Sequence, residues 1–90
     1  MIVEWHDEKA AANAKKHGVS FEEAATVLED DLSITFRDAD HSAEEFRFLT
    51  IGQGSTGRIL MVAHTDRGEA VRLISARPAT RSERRFYEES

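Results

Sequence analysis

The chain has 90 residues, a net charge of −5 and no cysteine. That length suits one small domain over residues 1–90, and the absence of cysteine excludes a disulfide framework or thiolate metal site, so burial of an apolar 40% must hold the fold. The longest apolar run, ILMVA at 59–63, is too short to cross a bilayer and no signal segment opens the chain, so a cytoplasmic protein with no membrane partner is expected.

MIVEW, at the start, alternates like a short strand. HDEKAAANAKKHG then predicts a helix, with Asp7 and Glu8 at its positive end, Lys15, Lys16 and His17 at its negative end, and Gly18 free to take the left-handed closing position. A second helix follows at once. Ser20 and Glu23 form an S-x-x-E capping box, Phe21, Ala24, Ala25 and Leu28 make one apolar stripe, and the acids at 29–31 end it.

The period then changes to two. LSITFR at 32–37 alternates, the acidic loop DADHSAEE follows, and FRFLTIG reads as the next strand. QGSTG turns the chain into RILMVAHT, apolar on both faces and suited to a central position. DRG connects it tightly to EAVRLISA. These four consecutive strands predict an antiparallel meander. In the tail, Pro78 suits a first helical turn, Thr80 and Glu83 form another capping box, and Ala79 with Phe86 form a narrow inner face. The expected order is β-α-α-β-β-β-β-α, an α+β domain with helices packed on the sheet.

Charge is uneven: residues 1–45 carry a net −8 and residues 46–90 a net +3. The tail ISARPATRSERRFYEE holds Arg77, Arg81, Arg84 and Arg85, and on a helix residues 81, 84, 85 and 88 share one side. Guanidinium forks suit phosphate. On spacing alone, a solvated and ion-paired face is the simpler reading. Lys9, Asn13, Lys16 and His17 form a second polar stripe on the first helix, where His17 is a candidate proton-transfer group although spacing alone favours a helix-capping role. His41, with Asp38, Asp40, Glu44 and Glu45, matches neither a calcium loop nor a zinc site. Nucleotide-loop, nucleophile-elbow and zinc-helix motifs are missing, so neither metal nor cofactor is expected.

Taken together, EWHDEKAAANAKKHGVSFEEA at 4–24, GRILMVAHTDRGEAVRLISARPAT at 57–80 and ERRFYEE at 83–89 resemble the BrnT family. The resemblance implies a RelE-like fold and a toxin of a type II toxin-antitoxin pair, a metal-independent endoribonuclease that cleaves RNA and inhibits translation. It also implies a BrnA-like antitoxin of ribbon-helix-helix type, with operator DNA reached only through the complex that represses the operon. By matching motif, Arg77 and Arg81 become phosphate-binding catalytic residues, and Glu83 or His17 the proton-transfer group. Lys16, Arg72, Ser75 and Tyr87 become RNA contacts, with Arg84 and Arg85 as RNA or antitoxin contacts. A different class stays open: a non-catalytic module whose Arg-rich helix docks an acidic partner.

Overall fold

The computed structural model describes residues 1–41 and 46–90. The chain runs β1 (Ile2–Glu4), α1 (Asp7–His17), α2 (Phe21–Val27), β2 (Ile34–Arg37), β3 (Arg47–Gln53), β4 (Ile59–Arg67), β5 (Ala70–Pro78) and α3 (Arg81–Glu88). The order matches the expected one. Strands β2 to β5 form the antiparallel meander, and β1 adds to β5 in parallel, giving a mixed sheet ordered β1-β5-β4-β3-β2. The acidic loop of 38–45 is described only to its single 3-10 turn at Ala39–His41. Glu44 and Glu45 lie outside the described residues.

Local chemistry explains the first helix. Its acids and bases sit at the ends where the backbone dipole favours them. Gly18 closes it at φ 69°, a left-handed conformation that a Cβ disfavours, and its N–H donates to the Ala14 carbonyl. The second helix has half of its expected box: Ser20 Oγ accepts from the Glu23 N–H, but the Glu23 carboxylate turns elsewhere. The tail helix begins later than expected. Pro78 ends β5 and Thr80 is the N-cap, because a strand end tolerates a residue that donates no hydrogen bond.

The sheet sorts side chains onto two faces. Leu60 and Val62 of β4 face α1 and α2, joining Val19, Phe21, Ala24, Val27, Leu73 and Ala76 in the core. Trp5 meets Phe21 edge-on at 5.9 Å. Each large apolar side chain buried here contributes roughly 2 kcal/mol. Gly52 permits close approach, since a Cβ there would stand 3.0 Å from Val27 Cγ1 and from Ser33 Cβ. On the core face, hydrogen bonds of 2.7 Å link Thr35 to Thr50 and Thr50 to His64 Nε2, and burial pushes the His64 imidazole toward its neutral form.

Opposite the core, Ile34, Ile51, Met61 and Arg77 form one cross-strand row, and Phe36, Leu49, Ala63 and Ser75 the next. α3 borders this second face, so helices flank both sides of the sheet. Phe86, expected to look inward, is 54% exposed there.

Candidate functional site

β1 is only three residues long and pairs only with residues 70–72, which leaves the edge of β5 opposite β4 without a neighbouring strand over its later part, among the described residues. α1 runs beside that edge. Asn13, 6% exposed, serves it directly: its amide donates to the carbonyls of Ala76 (2.8 Å) and Val19 (3.0 Å) and accepts from the Ala76 N–H (3.0 Å). The expected stripe of α1 therefore divides into a buried structural amide and three flanking cations or imidazoles. Lys9, Lys16 and His17 line a cleft of about 230 Å³ with Ala12, Asn13, Ile74 and Ser75. Sequence spacing links the α1 residues to one another. Only the fold brings them to Ser75.

Across the strand, Arg77 projects on the second face, two residues from Ser75. Its guanidinium is held in a two-point contact by Glu83, at 2.8 Å and 2.9 Å. Glu83 also accepts the Thr80 N–H, so one carboxylate completes the α3 capping box and fixes the Arg77 fork. The Arg77 contact, with help from the Thr80 backbone, lowers the Glu83 carboxyl to about 2. An acid held that strongly ionised is a poor proton shuttle near neutral pH, and Glu83 is placed to orient Arg77.

That placement has a pH consequence. Glu83 is ionised more readily in the folded chain than in the unfolded one, so its contribution is complete above the unfolded value of 4.5 and fades as pH falls toward 2. Full conversion of the shift would overstate the effect, because the pair is partly solvated; about 1 to 2 kcal/mol is expected. Urea midpoints measured from pH 5.5 down to pH 2.5 should drop more steeply for the wild-type chain than for Glu83→Gln. Parallel curves would remove Glu83 from the acid-sensitive set.

The remaining predicted residues divide among other places. Arg81 and Arg85 line a second cleft with Thr80 and Ser82. Arg85 also meets Glu89 at 3.3 Å in an exposed pair. Arg84 is exposed on α3. Arg72 lies at the far end of β5, where it meets Glu4 at 3.3 Å. Tyr87 donates to Asp30 at 2.5 Å, and this bond with the carboxylate pushes the phenol up to about 12. Asp30 also accepts the Gln53 and Leu32 N–H groups, so Tyr87 tethers α3 to the turn after α2.

The predicted residues thus form an α1/β5 cleft with His17, Lys16 and Ser75, an Arg77 clamp, and an α3 notch with Arg81 and Arg85. Arg72 and Tyr87 stand apart with partners of their own. Sequence reasoning missed Lys9 as a cleft residue despite its place in the stripe, because nothing local signals which exposed lysines face an open strand edge. Among the described residues, no group of three His, Asp or Glu side chains is placed to hold a metal ion, and no helix is long and apolar enough to cross a membrane.

Comparison with known proteins gives the chain its relatives. Residues 5–83 match the family described as the ribonuclease toxin BrnT of type II toxin-antitoxin systems. The crystal structure of the Brucella abortus ribonuclease toxin BrnT superposes with a TM-score of 0.69 at 28% identity, covering 90% of this chain and 99% of that one. No curated protein matches. With the family match spanning nearly the whole domain and the fold agreeing, the chain belongs to the BrnT family of ribonuclease toxins.

Proposed function

We propose that this chain is an active, metal-independent endoribonuclease that cleaves cellular RNA in the cytoplasm, inhibits translation, and is neutralised by a BrnA-like ribbon-helix-helix antitoxin. The complex with that antitoxin contacts operator DNA and represses the operon. The observation carrying this reading is the meeting of His17, Lys9, Lys16 and Ser75 at the open edge of β5, in a chain of a ribonuclease toxin family.

The chemistry needs three services. A base takes the proton of a ribose 2′-hydroxyl as its oxygen bonds to the adjacent phosphorus; cations stabilise the charge that builds on the phosphoryl oxygens; an acid protonates the 5′-oxygen as its bond to phosphorus breaks. His17 is the base in this proposal and Lys16 the acid, with Lys9 and Ser75 at the phosphate. Arg81, which has no ion pair among the described residues, supplies a guanidinium for the flanking backbone, and Arg77 does so from its Glu83 support.

RNA cleavage by purified protein and growth on induction test this together. His17→Ala is expected to slow cleavage at least about 100-fold, in the range of a lost proton-transfer group. Arg77→Ala with Arg81→Ala is expected to abolish both cleavage and growth arrest while circular dichroism stays native. Full toxicity in the double variant would overturn the phosphate assignment. Relief of growth arrest by the adjoining gene product tests the antitoxin part.

A further inference from the structure

The second face of the sheet is incompletely roofed. Between β2 and α3 lies a trough of about 450 Å³, floored by Ile51 and Met61 and walled by Ile34 and Phe36 on one side and Phe86 on the other. The floor is buried, yet Phe36 and Phe86 remain 40% and 54% exposed. Contiguous apolar surface of this kind marks an interaction site. At Ser82 the trough continues into the Thr80, Arg81 and Arg85 cleft, about 360 Å³ in volume. Among the described residues the one ion pair there, Arg85 with Glu89, is exposed at both ends and holds the arginine weakly.

An apolar trough that opens into a cationic notch asks for a ligand with apolar side chains along one stripe and carboxylates one helical turn further on. We propose that this composite groove docks an acidic amphipathic helix of a protein partner, and, resting on the toxin reading above, that the partner is the antitoxin. Helices present such stripes at i, i+4 and i+7. RNA suits the trough poorly. Its floor, Ile51 and Met61, is aliphatic, with no polar group to read a base edge. A helix seated there also covers Arg81, which gives neutralisation a direct physical route.

The probe is a fluorescein-labelled synthetic helical peptide with leucines at i, i+4 and i+7 and glutamates at i+8 and i+11. Anisotropy titration with the intact chain is expected to saturate. Affinity should fall at least about tenfold for Phe86→Ala and for Arg81→Glu with Arg85→Glu, as for central interface residues. These side chains are exposed, and circular dichroism checks that each variant stays folded. A peptide with lysines in place of the glutamates should bind at least about tenfold more weakly. No binding by the wild-type chain, or equal binding of both peptides, overturns the proposal. A labelled oligouridylate whose binding drops about tenfold in Phe36→Ala and Phe86→Ala would overturn it too, by assigning the trough to bases. RNA cleavage measured on the same wild-type protein keeps the two readings separate, since a failed peptide titration leaves cleavage intact and absent cleavage leaves the titration standing.

Discussion

Asn13→Leu is expected to destabilise the domain by about 4 kcal/mol, close to the whole stability of a small protein. Three hydrogen bonds end on this one amide, and two of them serve both backbone groups of Ala76. Leucine has nearly the same volume but offers neither donor nor acceptor, so three buried backbone groups would lose their partners. Asn13→Asp separates the parts, since it keeps the acceptor for the Ala76 N–H and loses both donated bonds. With its carboxyl neutralised by acid it should fall between wild type and Asn13→Leu in urea unfolding, whereas the ionised form, facing two carbonyl oxygens, should be at least as destabilising as Asn13→Leu. Hydrogen exchange at the Ala76 amide should quicken first in Asn13→Leu. A loss below about 1 kcal/mol would mean that water takes over the amide's role.

The second large effect concerns a pairing that joins α2 to the turn before β4. Glu23 is 8% exposed, and its carboxylate receives Arg58 Nη2 at 2.6 Å, Arg58 Nε at 3.2 Å and the Thr56 hydroxyl. Arg58 also donates to the Gly18 carbonyl at 3.1 Å, tying in the α1–α2 corner. Its guanidinium, followed by Thr56, holds the Glu23 carboxyl below its usual range even though burial opposes this. Arg58→Met strands a buried carboxylate and is expected to cost about 3 kcal/mol. Adding Glu23→Leu removes the stranded charge and should recover most of the loss. Thermal and urea unfolding of both variants check this. A double variant no more stable than Arg58→Met would show that the ties to Gly18 and Thr56, and not the charge, carry the energy.

Much of the architecture is written in local patterns. The helix ends at Gly18 and the Thr80–Glu83 box are visible because caps act within a few residues, and the meander is visible because turns separate alternating runs. The contacts that tie distant elements together are of another kind. Asn13 meets Ala76 across 63 residues, Arg58 meets Glu23 across 35, and Tyr87 meets Asp30 across 57. No period encodes such pairs, so Asn13 and Tyr87 read as surface or site residues and Arg58 as the first residue of a strand. The one short-range surprise, Arg77 with Glu83, bridges a strand end and a helix start, where neither repeat applies.

One irregularity in β5 governs how core and site share a single strand. Ala63 faces Ser75 while the next residue, His64, faces Leu73, so Ile74 is an extra link in the ladder. Leu73 and Ala76 can therefore both enter the core although three positions separate them, while Ser75 and Arg77 stay on the far face. Strand length at this point acts as a phase setting. Force Ile74 into a regular ladder, and alternation would demand a choice: keep Ser75 and Arg77 outward and expel Leu73 from the core, or keep Leu73 buried and turn the arginine inward. The irregularity thus absorbs one residue and keeps the inner and outer halves of the molecule in step.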